Sequence, residues 1–249
     1  MAATNTDKLE AGIVSSYDRK SELMALDDSN AGVQGLVENG VTKVPLMFHC
    51  EQSNLNDGLT SIHDDPILKD DVEGKVRYAC EKWGFFHLIN HGIPTHVLDE
   101  MIRGTCRFHQ QDAAVRKVYY TRDLSRKVAY LFNYTLYEDP SADWRDTLAF
   151  SLAPHPPKTE EFHAVCSQWK IMALAYALFE LLSEALGLDR FNLKEMGCAE
   201  GQLLLCHYYP ACPEPELTIG NIKHSDGNIM TILLQDLMVN IHKRVQEIT

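Results

Sequence analysis

The sequence has no cluster of basic residues, and this absence narrows the range of partners. Its 23 lysine and arginine residues stand against 35 aspartate and glutamate residues, which gives a formal net charge of −12. A surface of this charge repels the phosphate backbone of nucleic acids and the anionic surface of membranes. The composition therefore predicts that neither nucleic acid nor a membrane is a partner.

Long hydrophobic runs and paired cysteines are also missing. No stretch approaches the roughly 18 apolar residues of a membrane span, and the first ten residues, MAATNTDKLE, lack the apolar centre of a signal peptide. The seven cysteines contain no Cys-x-x-Cys pair, which argues against a disulfide framework or a zinc ribbon. We therefore predict a cytoplasmic, monomeric protein with reduced thiols. A thiol enzyme based on Cys206 or Cys212 is disfavoured, because no base arrangement is recognisable.

The first half of the chain reads as a polar arm followed by helices and a strand. Residues 1–62 are polar and interrupted, with one helix expected around Tyr17 to Leu26, and we expect this arm to be loosely attached. Helical periodicity then runs from Ile67 to Trp83. The aromatic and branched stretch FFHLIN indicates a strand, and a second helix is expected from Pro94 through Phe108.

The second half contains one long helix and a C-terminal β region. Residues 121–157 are rich in Tyr, Asp and Pro and indicate loops and short strands. An apolar stripe from Glu160 to Leu186 predicts a helix that packs into the core and ends at Gly187. After it, GQLLLCHYYP and IMTILLQD have the character of strands.

A histidine and a carboxylate stand two positions apart in KHSDGNIMTILLQD. In an extended chain, side chains at i and i+2 lie on the same face, roughly 7 Å apart, so His224 and Asp226 can approach one ion. They would supply two of the three ligands of a 2-His-1-carboxylate site for Fe(II). The pair alone is a weak signal, because His-x-Asp also fits a solvated turn.

Six stretches in order carry a resemblance to a known family. They are GVQGLVENGVTKVP, VRYACEKWGFFHLINHGIP, RFHQQDAAVRKVYYTRD, ADWRDTLAF, CHYYPACPEPELTIG and KHSDGNIMTILLQD. Together they resemble the plant Fe(II)- and 2-oxoglutarate-dependent dioxygenases, most closely the branch of 1-aminocyclopropane-1-carboxylate oxidase homologues. The resemblance implies an α+β fold, in which a helical N-terminal part packs on a double-stranded β-helix, or jelly roll.

The resemblance also implies roles for individual residues. His224 and Asp226 match the first two iron ligands, and Tyr209 matches a tyrosine that contacts 2-oxoglutarate. His207 stands where many relatives carry asparagine. For Tyr209 and His207 the alternative is that they are inward-facing residues of a jelly-roll strand. No residue is assigned as a catalytic acid or base, and His87 and His91 are not expected to touch metal.

The function implied is the oxidation of a small specialised metabolite by an oxygenase. Such an enzyme uses Fe(2+) and takes 2-oxoglutarate as co-substrate, which it converts to succinate and carbon dioxide. In a related variant ascorbate is the reductant. The alternative is a truncated, non-catalytic form of such an oxygenase.

The resemblance weakens after Asp226, where the family places a distal histidine and an Arg-x-Ser motif. The downstream candidates are His242 and Arg244, and Arg244 is not followed by the expected serine. A strand over residues 229–236 would carry the chain roughly 26 Å from the metal, and six further residues return at most about 20 Å. We therefore expect half an iron site and an incomplete jelly roll.

The expected division has four parts. They are an N-terminal arm (1–62), an N-terminal dioxygenase region (63–160), a supporting helix (161–199) and a truncated jelly-roll core (200–249).

Overall fold

The computed structural model describes residues 17–50, 72–155, 157, 168–236 and 247–248. The helices are α1 (Arg19–Ser29), α2 (Gly32–Glu38), α3 (Val72–Lys82), α4 (Thr95–His109), α5 (Ala113–Lys117), α6 (Gln168–Ala185) and α7 (Asn192–Glu195), with 3-10 turns at Leu46–Phe48 and Pro215–Leu217. The strands are β1 (His87–Leu88), β2 (Val128–Phe132), β3 (Asp146–Ala153), β4 (Gln202–Tyr208) and β5 (Glu247–Ile248). In the described part of the chain, none of the helices combines the length and hydrophobicity that a membrane span requires.

A three-stranded antiparallel sheet, ordered β2–β3–β4, forms the centre of the fold. Thr147 on the middle strand pairs with Leu131 on β2 and with His207 on β4. Because side chains alternate between the faces of a strand, these three residues share one face of the sheet. A separate parallel pair joins the short strands β1 and β5.

The two faces of this sheet have different surroundings. One face packs against α4, where Phe108 contacts Tyr130 edge to face at 5.6 Å and Leu148 and Phe150 are buried beside them. The opposite face buries small and apolar side chains along β2 and β3. It is more open along β4, where Leu203 is 60% exposed. Thr147 and His207, which are described below, lie on this second face.

The N-terminal segment 17–50 is part of the core, so the expectation of a loosely attached arm is wrong for these residues. Leu23, Val33 and Phe48 are almost fully buried and pack in one cluster with Phe132 and Trp144. The sequence predicts a helix within this segment but not the surfaces against which its apolar residues pack. Their burial depends on strands that follow about a hundred positions later.

Polar contacts also attach this segment to the rest of the fold. Asp146 accepts the backbone N–H groups of Val33 and Gln34, each at 2.7 Å. Glu38 pairs with the buried side chain of Arg116, with Nη2 and Oε2 2.6 Å apart. These contacts join α2 to both β3 and α5. The four-part division of the chain stays a prediction.

The observed structure confirms the predicted long helices and the strand predicted in GQLLLCHYYP, which is β4, and it differs from the sequence-based expectation in the other strands. The helices α1, α4 and α6 lie where periodicity predicts them, while the predicted starts at Ile67 and Glu160 lie outside the described residues. Residues 121–157 were expected to be loops and short strands, yet they contain β3, the middle strand of the sheet. FFHLIN contributes only a two-residue strand.

Candidate metal and co-substrate site

The side chains of His224 and Asp226 face each other. The Nε2 atom of His224 lies 3.2 Å from Oδ1 of Asp226, and both side chains are about half exposed. Their remaining polar atoms are engaged elsewhere: Nδ1 of His224 bonds the carbonyl oxygen of Ile222 at 2.8 Å. Thr231 donates its hydroxyl to Oδ2 of Asp226 at 2.6 Å.

This arrangement fits two ligands of one cation. A carbonyl oxygen can only accept, so the bond to Ile222 places the imidazole proton on Nδ1 and leaves a lone pair on Nε2. In this neutral form the lone pair faces a carboxylate oxygen and a bound cation would bridge the two acceptors, whereas an imidazolium would donate its Nε2–H to Asp226 directly. Ligand atoms at right angles about a common ion, each roughly 2.1 Å from it, stand about 3 Å apart.

The pair does not lie on a strand, which differs from the expected β segment. Residues 221–236 contain no strand, and Ile229 and Leu233 are more than 60% exposed. Asn228 instead bonds the carbonyl oxygen of Met230 and the hydroxyl of Thr231, which closes a short turn after Asp226. The two side chains therefore come together next to a turn, and not through the alternation of side chains along a strand that we expected.

His207 lies on the sheet face beside this pair and is neutral. Its Nδ1 atom is 2.9 Å from the hydroxyl of its cross-strand neighbour Thr147. Burial lowers the pKa of His207 to about 3, and the positive charge of Arg145 acts in the same direction. At neutral pH it therefore offers uncharged hydrogen-bonding groups.

A buried ion pair precedes β3 and was not assigned a role from the sequence. Arg145 and Asp143 pair at 2.8 Å, and both side chains are less than 10% exposed. Burial raises the pKa of Asp143, while Arg145 opposes that shift. The sequence signal was the alternation of charges around tryptophan in ADWRD, but a solvated loop has the same composition.

Tyr209 follows β4 directly and packs against the chain that leads to His224. A Cβ atom added to Gly220 would lie 2.7 Å from the Tyr209 ring, so only glycine allows this approach. The aromatic ring is partly buried there. The contact of Tyr209 with 2-oxoglutarate stays a prediction.

Comparison with known families identifies the protein class. Residues 58–170 match the family described as non-haem dioxygenase in morphine synthesis N-terminal, and residues 200–246 match the 2OG-Fe(II) oxygenase superfamily. A probable 2-oxoacid dependent dioxygenase of Arabidopsis thaliana is 45% identical over 88% of this chain and 67% of its own length. The chain belongs to the 2OG-Fe(II) oxygenase superfamily.

Further relatives agree with this assignment. A 1-aminocyclopropane-1-carboxylate oxidase homologue of Solanum lycopersicum is 47% identical over 90% of the chain and 67% of its own length. A solved structure described as JOX2 in complex with 2OG, Fe, and JA has a TM-score of 0.64 and 26% identity, covering 78% of this chain and 61% of that one. This likeness confirms the predicted α+β, jelly-roll class. The chain spans less than two thirds of the solved relative.

Membership of the superfamily makes Fe(2+) the metal and 2-oxoglutarate the co-substrate that this fold uses. Among the described residues, no group of three His, Cys, Asp or Glu side chains is arranged to hold a metal ion. His91 accepts the backbone N–H of Ile93 in a turn. His242 and Arg244 lie outside the described residues, so their predicted roles stay predictions.

Proposed function

We propose that this chain is an Fe(II)- and 2-oxoglutarate-dependent oxygenase that oxidises a small specialised metabolite. His224 and Asp226 hold the iron, and Tyr209 contacts 2-oxoglutarate. The observation that supports this proposal most directly is the 3.2 Å approach of Nε2 of His224 to Oδ1 of Asp226, with Nδ1 of the same imidazole bonded to the carbonyl oxygen of Ile222. Superfamily membership supplies the identity of the metal.

The residues around the pair would organise the site. Ile222 and Thr231 occupy the outer atoms of the two ligands and so fix the direction of the inner ones. His224 and Asp226 would hold Fe(II), which would supply the coordination of 2-oxoglutarate and the oxidising chemistry that accompanies its decarboxylation to succinate. The substrate would lie against the second sheet face, where His207 and Thr147 provide neutral polar groups among apolar side chains.

The same proposal includes the cellular setting and partners. The net charge of −12 supports a small-molecule partner rather than nucleic acid or a membrane. We propose a cytoplasmic monomer, and ascorbate as a reductant that sustains turnover.

The test separates metal binding from turnover. Anaerobic titration with Fe(II) should show binding that His224→Ala and Asp226→Ala abolish. The matched control is His96→Ala, because His96 is an exposed histidine on α4. Addition of 2-oxoglutarate should then produce the visible absorption of an Fe(II) chelate, and succinate should form when oxygen and ascorbate are admitted.

Each outcome has a distinct meaning. Metal binding without succinate would support the non-catalytic alternative, and an absence of binding would contradict the proposed site. Two protein ligands chelate weakly, so we expect an affinity in the micromolar range or weaker. Submicromolar affinity that His242→Ala abolishes would instead identify His242 as a third ligand.

A further inference from the structure

The buried ion pair of Asp143 and Arg145 holds the segment that leads to His224. Oδ1 of Asp143 accepts the backbone N–H of Ile222 at 3.0 Å. Nη1 of Arg145 donates to Oδ1 of Asn221 at 2.7 Å. The pair therefore fixes two consecutive residues, and they stand two and three positions before the candidate ligand.

The backbone of the adjacent loop residue adds to this attachment. Trp144 donates its backbone N–H to the carbonyl oxygen of Ile219 at 2.9 Å, and its indole N–H to the carbonyl oxygen of Pro210 at 3.0 Å. The Trp144 side chain is itself buried in the core with Phe48. Three consecutive loop residues thus bind the connection between β4 and His224, and they do so from a rigid support.

Ile222 links the ion pair to His224 through its two backbone groups. Its N–H donates to Asp143, and its carbonyl oxygen accepts from Nδ1 of His224. The N–H and the carbonyl belong to the two peptide groups that flank the Cα atom of Ile222, so with the first group held, only rotation about the φ and ψ bonds of Ile222 can turn the carbonyl away from the imidazole. If the hydrogen bond to Nδ1 were lost, the proton could move to Nε2 and donate to Asp226, which would close the position between the two side chains.

We propose that Asp143 and Arg145 are positioning residues that hold His224 in the tautomer and orientation in which Nε2 can bind a metal ion. This inference rests on the proposed metal-binding role of His224 and Asp226. It assigns the ADWRD stretch a task in the site, although the stretch supplies no ligand. Losing the outer support of a ligand histidine typically weakens metal binding about 10- to 100-fold.

The test reads the tautomer and the metal affinity separately. Nitrogen-15 NMR of metal-free protein in alkaline buffer should show His224 protonated on Nδ1. Asp143→Ala should give a mixture with the Nε2–H tautomer and should weaken Mn(II) binding, followed by electron paramagnetic resonance, about 10- to 100-fold. Asn221→Ala, at an exposed residue, should shift both readouts in the same direction without removing a buried charge.

A control variant distinguishes positioning from general loss of stability. Glu38→Gln breaks another ion pair with one buried partner, Arg116, and should lower stability while the tautomer and Mn(II) affinity stay unchanged. The inference is overturned if wild-type His224 carries its proton on Nε2. It is also overturned if Asp143→Ala, or Asn221→Ala where the first variant does not fold, leaves both readouts unchanged. A wild-type protein with the Nδ1–H tautomer and no Mn(II) binding would contradict the proposed metal site alone.

Discussion

Gly32 lies directly against the carboxylate of Asp146. A Cβ atom added to Gly32 would overlap Oδ1 of Asp146 and the hydroxyl of Tyr130, and Gly32 also has a φ of +65°. The close approach lets Asp146 accept the first N–H groups of α2, which carry the positive end of the helix dipole. Asp146 thereby ties the N-terminal segment to the middle strand of the sheet.

Gly32→Ala should destabilise the fold strongly. The new methyl group must displace a buried carboxylate and its hydrogen bonds, so we expect a loss of about 3 kcal/mol or more in the free energy of unfolding. Gly40→Ala is the matched control, because Gly40 also has a positive φ but has no atom within 4 Å of an added Cβ. Backbone strain alone should cost that variant about 1 kcal/mol. If urea unfolding showed that Gly32→Ala and Gly40→Ala lose the same free energy of unfolding, the close-contact explanation would be contradicted.

Asp146 should make stability fall as pH rises from about 4 to about 6. Burial raises its pKa to about 6 from an ordinary value of 3.8, even though two N–H groups and Tyr130 favour the ionised form. In this window the folded state binds more protons than the unfolded state, so deprotonation costs stability, by roughly 3 kcal/mol in total. Above about pH 6 the contribution of Asp146 to the free energy of unfolding no longer changes with pH.

The measurement is the free energy of unfolding at several pH values. Asp146→Asn should lack this decline, whatever its absolute stability. Asp123→Asn is the control: it removes an exposed carboxylate whose pKa is lowered by contacts with Ser125, and it should keep the Asp146 decline. If stability still declined by the same amount in Asp146→Asn, the decline would have to come from other titratable groups.

Thr231→Val should weaken metal binding without affecting the fold. Thr231 is exposed, and its hydroxyl orients Asp226 by donating to Oδ2. Without that bond the carboxylate can rotate, and we expect about tenfold weaker binding of Fe(II) under anaerobic conditions. Thr231→Ser keeps the hydroxyl and should bind like wild type. Equal affinities for the two variants would show that the hydroxyl has no role in orienting Asp226.

His207 should remain neutral between about pH 5 and pH 8. Its pKa is lowered to about 3, mainly by burial. The ring C–H resonances of His207, assigned by comparison with His207→Gln, should therefore stay constant over this range in NMR spectra. A titration within the range would mean that the site is open to water and that His207 contributes charge to it.

The N-terminal segment and the ADWRD loop show why part of this structure could not be predicted. The hydrogen bond between Val33 and Asp146 joins residues 113 positions apart, and the bond between Asp143 and Ile222 spans 79 positions. Each partner is unremarkable in its own stretch of sequence. The strand expected after Asp226 failed for a related reason, since an apolar run adopts a strand only where a neighbouring strand pairs with it.

Short stretches of sequence were enough to predict α1, α3, α4 and α6, the superfamily and the His-x-Asp pair. Helical periodicity and an i, i+2 spacing are properties of neighbouring residues, so they can be read from a short stretch. The burial of residues 17–50 in the core, and the support that Asp143 and Arg145 give to the segment before His224, became evident only in the folded chain. Those outcomes depend on burial, because a carboxylate or a guanidinium that leaves water must find its partners wherever the fold places them.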